Sequence, residues 1–118
     1  MVAQRRSQRR SSRSSSASES TPVLLDPGAY VAPSAELAAG AQVFATAAVC
    51  SAARIGRGVL VNTGAIVSHD CAIGDYSHVA PGAILAGEVE VGEATLVGMG
   101  VTASVGLRIG SGAIVGNG

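Results

Sequence analysis

The chain has two histidines, His69 and His78, and both fall in the segment VSHDCAIGDYSHVAPGA. Asp70 follows His69 directly. A carboxylate beside an imidazole fixes its tautomer and makes the other ring nitrogen a better proton acceptor, so the pair has the makings of a general base. A polar corner in a repeat that needs polar corners accounts for the same two residues. Cys71 comes next and offers a covalent alternative, a thiolate nucleophile activated by the imidazole. Its place in a lane of small residues reads instead as packing. A catalytic zinc wants three protein ligands, usually histidines, and this chain has only two histidines, so no metal is expected.

The elements that must position these residues repeat every six positions. Val31, Leu37, Val43, Val49, Ile55, Val61, Val67, Ile73, Val79, Leu85, Val91, Val97, Ile109 and Val115 keep one aliphatic phase, with Ala103 the exception. A second lane of small or compact residues, among them Ala41, Ala53, Ala65, Cys71, Ser77, Ala83 and Thr95, runs two places ahead of each aliphatic. A helical period of 3.6 cannot generate this comb, and plain strand alternation does not hold a phase of six. The pattern reads as an all-β hexapeptide-repeat β-helix. Three hexads complete a three-sided turn, giving about five coils stacked near ~4.8 Å. Pro22 to Tyr30 read as a lead-in strand and turn. Within each hexad the small residue and the aliphatic face inward, and the second and third residues after the aliphatic form a corner.

These addresses place His69 and Asp70 on a corner, in solvent, and His78 outward on a strand. Gly87, one coil on, stacks over His69. Its missing side chain leaves room for a reacting group against the imidazole, and its backbone N–H offers a donor to an oxyanion. Nine residues, half a coil, separate the two histidines, so one chain holds them on opposite sides, and a site using both draws on two chains. Met99 and Asn117 share a corner next to His78. An elongated ligand along the prism axis, shaped like a pantetheine arm, would touch His78, Met99 and Asn117 in turn. An exposed corner residue without a role is the plain alternative for Met99.

The overall charge of zero hides two unlike parts. Residues 1–22 carry five arginines against Glu19, and residues 23–118 carry three arginines against seven acids. The first part is Arg/Ser-rich and nearly free of apolar residues, which reads as a disordered tail. A polyanion-binding arm or a transit peptide stays open for it. The second part, 23–118, is the β-helix domain. Its mildly acidic balance argues against nucleic acid as a partner. No apolar run is long enough to span a bilayer, so no membrane is expected and the expected compartment is cytoplasmic. The chain stops at Gly116-Asn117-Gly118 with no polar cap, which points to a covering oligomer partner or a truncation.

The run from Asn62 onward, with HDC, the second histidine nine residues later and APGA-x-x-AG, resembles the left-handed β-helix of bacterial sugar O- and N-acetyltransferases. The branch it is most similar to holds the sialic acid O-acetyltransferases and the UDP-4-amino-sugar N-acetyltransferases of the bacillosamine pathway. The resemblance covers roughly residues 24–118. It implies a left-handed parallel β-helix, a homotrimer, and acetyl-CoA lying between adjacent prisms as co-substrate. It implies His69 as catalytic base with Asp70 raising its basicity, and His78, Met99, Asn117 and Gly98 as acetyl-CoA contacts. Asn62 and Gly87 are implied on the side of a small-molecule sugar or sugar-nucleotide acceptor, in a pathway of cell-surface polysaccharide biosynthesis. Members of the branch usually carry an N-terminal Rossmann-like domain and continue beyond the point where this sequence ends. Two other readings stand beside it: a non-catalytic, truncated β-helix that only trimerises, and a zinc hydratase of the γ-type carbonic anhydrase kind on the same coil.

Overall fold

The structure, a computed structural model, describes residues 20–118. The tail expected over residues 1–22 lies outside the described residues up to position 19.

Sixteen two-residue strands follow one another at six-residue intervals, and every third strand joins the same parallel sheet. The first face is built from β1 (Leu24–Leu25), β4 (Gln42–Val43), β7 (Leu60–Val61), β10 (His78–Val79), β13 (Leu96–Val97) and β16 (Ile114–Val115). The second takes β2 (Tyr30–Val31), β5 (Ala48–Val49), β8 (Ile66–Val67), β11 (Ile84–Leu85) and β14 (Thr102–Ala103). The third takes β3 (Glu36–Leu37), β6 (Arg54–Ile55), β9 (Ala72–Ile73), β12 (Glu90–Val91) and β15 (Arg108–Ile109). Register is one coil throughout, with Val61 against Val79 and Val79 against Val97. The lead-in expected at Pro22 to Tyr30 is itself the first rung: Leu25 pairs with Val43, so the aliphatic phase starts one step before Val31.

Two inward positions per hexad fill the prism. Val43, Val49, Val61, Val67, Val79, Leu85 and Val97 are fully buried, as are Ala41, Ala53, Ala65, Cys71 and Ala83 from the small lane. Each side chain rests on its equivalents one coil above and below, so burial accumulates along the axis and needs few aromatics. The last rungs lack a neighbour above, and Leu107 is 45% exposed in consequence.

From Gly40 to Gly112, every third-place corner residue has a positive φ. This conformation aims its N–H down the stack, as Glu88 N–H does to His69 O (2.9 Å) and Asp70 N–H to Ser51 O (3.0 Å). Glycine occupies seven of these places without penalty, whereas Thr46, Ala52, Tyr76, Glu88 and Ala94 each accept the roughly 1–2 kcal/mol steric cost of a left-handed residue. Asp70 shares the conformation, with a φ of 60°, and aspartate tolerates it better than most side chains.

The outward residues divide the faces by chemistry. The first face presents Leu24, Gln42, Leu60, His78, Leu96 and Ile114, and the second presents Tyr30, Ala48, Ile66, Ile84 and Thr102. The third presents Glu36, Arg54, Ala72, Glu90 and Arg108, with Arg108 Nε 3.5 Å from Glu90 Oε1.

Candidate active site

His69 and Asp70 occupy the corner after β8, where the second and third faces meet. His69 Nδ1 lies 3.0 Å from Asp70 Oδ2. An ionised carboxylate only accepts, so Nδ1 carries the proton and Nε2 keeps its lone pair. Both side chains are more than half exposed, so the contact orients the ring and adds little to stability.

Gly87 stacks over His69 as the period requires, and the contact explains why it is glycine. A Cβ there would stand 2.3 Å from His69 Nε2 and 2.5 Å from Cε1. The space expected to admit a reacting group is thus taken by the imidazole itself, which lies against the glycine and turns Nε2 toward it. Backbone strain is not the reason, since the φ of Gly87 is not in the left-handed region.

Three second-place corner amides are held by a side chain from the next coil. Arg57 N–H is accepted by Asp75 Oδ1 (2.8 Å), Glu93 N–H by Ser111 Oγ (3.0 Å) and Met99 N–H by Asn117 Oδ1 (3.0 Å), each from a side chain one coil on. The equivalent partner of Gly87 is Val105, which has no acceptor. Gly87 N–H, like those of Ala39, Ala45 and Asp75, has no hydrogen-bond partner among the described residues, and Gly87 differs from these three in being buried. Gly87 lies against His69 Nε2.

His78 stands outward on β10, on the first face, away from the His69 corner. Asn62 and His78 are expected from sequence on the sides of different ligands, yet Asn62 Nδ2 donates to His78 Nε2 at 3.1 Å. Asn62 Oδ1 accepts from Thr63 N–H at 2.7 Å, which fixes the amide with its nitrogen toward the ring. His78 then carries its proton on Nδ1. The signal was available, since a corner residue meets the outward strand residue sixteen positions later.

Met99 and Asn117 do share a corner, that between the first and second faces. Asn117 Oδ1 holds Met99 N–H, and a Cβ on Gly98 would approach the same oxygen to 2.7 Å. Gly56 with Asp75 and Gly92 with Ser111 repeat the arrangement, so Gly98 and Asn117 also serve as a corner clamp. Met99 itself projects into solvent, 52% exposed.

Cys71 is buried beneath the His69 corner, and burial pushes its thiol pKa up, away from the thiolate a nucleophile needs. Among the described residues no group of three His, Cys, Asp or Glu could hold a metal ion. No helix of the described residues is long and apolar enough to cross a membrane. A groove of about 600 Å³ along the third face contains none of these site residues.

A parallel three-sided coil with a histidine–carboxylate corner defines the class: this is a hexapeptide-repeat β-solenoid, and residues 52–87 match the family described as bacterial transferase hexapeptide (six repeats). Among solved structures, the chain is similar to the acetyltransferase domain of PglB from Neisseria gonorrhoeae in complex with acetyl coenzyme A. The identity is 40% and the TM-score 0.82, over 82% of this chain and 47% of that one. It is equally similar to PerB from Caulobacter crescentus in complex with CoA and GDP-perosamine, at 40% identity and a TM-score of 0.82, covering 83% of this chain and 47% of that one. Variants of the Caulobacter GDP-perosamine N-acetyltransferase with one histidine replaced by alanine or asparagine have been crystallised with the same two ligands. This chain spans about half the length of these relatives. No curated protein sequence matches it.

Proposed function

We propose that this chain is the acyl-transfer unit of an acetyl-CoA-dependent acetyltransferase that places an acetyl group on an amine or hydroxyl of a sugar nucleotide. The observation that carries the reading is the oriented His69–Asp70 pair, with Nε2 against Gly87, whose amide has no partner among the described residues. One base and one oxyanion donor meet there in a single site. The similarity to proteins solved with acetyl coenzyme A, or with CoA and GDP-perosamine, supports these ligand classes and favours an amine acceptor.

In this mechanism the neutral acceptor attacks the thioester carbonyl carbon while His69 Nε2 takes its proton. The carbonyl electron pair moves onto oxygen and is met by Gly87 N–H. As the pair returns, the C–S bond breaks, and coenzyme A leaves as the thiol with the proton from the imidazolium. Direct transfer needs no acyl-enzyme, consistent with a buried Cys71.

A homotrimer completes the site. Two of the three faces present apolar rows outward, the composition expected of surfaces that a neighbouring copy covers. A second copy is also what brings the Asn62–His78 pair and the Gly98–Met99–Asn117 corner near a His69 corner, so that the pantetheine arm runs between prisms. Residues 23–118 form the acetyltransferase unit, preceded by the Arg/Ser-rich segment. Acetyl-CoA and nucleotide sugars point to the cytoplasm, and the product to cell-surface polysaccharide biosynthesis.

The test pairs acetyl-CoA calorimetry with mass-spectrometric detection of acetylated nucleotide-linked amino sugars. His69→Ala is expected to keep binding acetyl-CoA and to lose about 10²- to 10⁴-fold in turnover. Unchanged turnover removes the mechanism, and absence of any acetyl-CoA binding leaves the non-catalytic trimerisation module as the reading.

A further inference from the structure

Most corners close with a hydrogen bond from the fourth residue's N–H to the first residue's carbonyl, as in Ala83 to Ala80 (3.1 Å) or Ala65 to Asn62 (3.1 Å). The corners that begin at Ser68, Ala86 and Gly92 lack it; below the Ser68 corner the inward lane holds Ala53, which has nothing to insert. At Gly92 the reason is visible. Ser77, from the small inward lane of the coil below, inserts its hydroxyl into the turn, donating to Gly92 O (2.6 Å) and accepting from Thr95 N–H (3.0 Å).

Cys71 makes the donating half of this contact at the corner above it. Its Sγ–H donates to Ala86 O at 3.1 Å. The Ala86 carbonyl and the Gly87 N–H belong to one peptide group. A trans peptide is planar with its C=O and N–H pointing in opposite directions. A thiol that holds the carbonyl toward the core therefore holds the amide away from it, on the side of His69. Among the described residues nothing else binds either end of that peptide.

We propose that Cys71 is a positioning residue for acetyl transfer: its thiol locks the Ala86–Gly87 peptide so that the Gly87 N–H faces the reacting oxygen. The inference rests on the acetyltransferase reading above for its kinetic consequence, though not for its structural one. Burial keeps the sulfur protonated, and hence able to donate, at neutral pH. The role requires no thiolate and no bond to substrate.

Three variants separate orientation from packing. Serine already performs the bridging role at position 77, and alanine and valine both occupy this lane elsewhere, at Ala83 and Val89, so all three fit the fold. Cys71→Ser is expected to keep turnover within a few-fold of the parent. Cys71→Ala and Cys71→Val are expected to lose about ten- to a hundred-fold in kcat, less than the roughly 10²- to 10³-fold lost when one oxyanion donor is removed outright. KM for acetyl-CoA should move less than about two-fold. Amide hydrogen exchange at Gly87, read by NMR in the same variants, should change in Ala and Val and be restored in Ser, whether or not an acceptor has been found. Equal kcat across all three variants of an active parent overturns the proposal, as does unaltered Gly87 exchange in Cys71→Ala and Cys71→Val. If the parent binds and transfers no acetyl group, the acetyltransferase reading fails by itself, and the exchange data still decide whether Cys71 orients the peptide.

Discussion

Gly87→Ala isolates the geometry on which the proposed chemistry depends. The added Cβ would lie 2.3 Å from His69 Nε2, and ordinary contact begins near 3.4 Å, so the imidazole must retreat by about 1 Å or rotate off its platform. The backbone can accept alanine, because its φ is not in the left-handed region. The ring can leave at small cost, because it is mostly exposed. Stability should therefore change by less than about 1 kcal/mol, a Tm shift of a few degrees. A misplacement of about 1 Å at a reacting group costs on the order of 10²-fold. The expected result is a kcat reduced about 100-fold with acetyl-CoA affinity retained. Gly110→Ala is the control, since a Cβ there meets nothing within 4 Å. The assay is initial-rate acetyl transfer alongside differential scanning calorimetry. Full activity in Gly87→Ala would refute the placement of the base, and a large loss of Tm would mean that the position serves the fold.

Other expectations follow from the same stack. Ser77→Ala removes a buried bridge and leaves Gly92 O and Thr95 N–H to find each other, so chemical denaturation should report a loss of about 1–3 kcal/mol. Disulfide-exchange labelling of the native protein should modify Cys50 first, because Cys71 is buried and its thiol pKa is raised. The sign for stability follows: the folded state holds the Cys71 proton more tightly than the unfolded chain, so the contribution is complete below the ordinary thiol pKa of about 8.5. It declines as pH rises from there through the folded value, and Cys71→Ser should flatten that decline in alkaline melts. Ile84→Glu, at an exposed point of the second face, should reduce the mass seen by light scattering from that of the proposed trimer toward monomer while circular dichroism stays unchanged.

The coil was legible because its signal repeats: one aliphatic in six, in phase for most of the chain, leaves no competing period. Its beginning was less so. Leu25 sits among Val23 and Leu24, where one apolar residue does not stand out, and only pairing with Val43 shows that it is a rung. Corner positions were readable, but the left-handed backbone at Thr46, Ala52, Tyr76, Glu88 and Ala94 was not. No residue there announces it, and the ladder of hydrogen bonds from coil to coil imposes it. The His69 to Gly87 column followed from the period. What fills the space did not, because a side-chain rotamer and a contact with Asp70 decide it. Cys71 read as packing for the same reason: periodicity places a sulfur inside but says nothing of where its hydrogen points. The Asn62–His78 contact spans a corner and a strand, two classes of position that a lane-by-lane reading keeps apart.

The ionic third side has a consequence for how such prisms assemble. Its alternating glutamates and arginines neutralise one another along the axis, leaving neither a greasy strip nor a net field to recruit a further neighbour. In the proposed trimer, two apolar flanks and a charge-balanced third would favour closure into a small ring over growth into sheets or fibres.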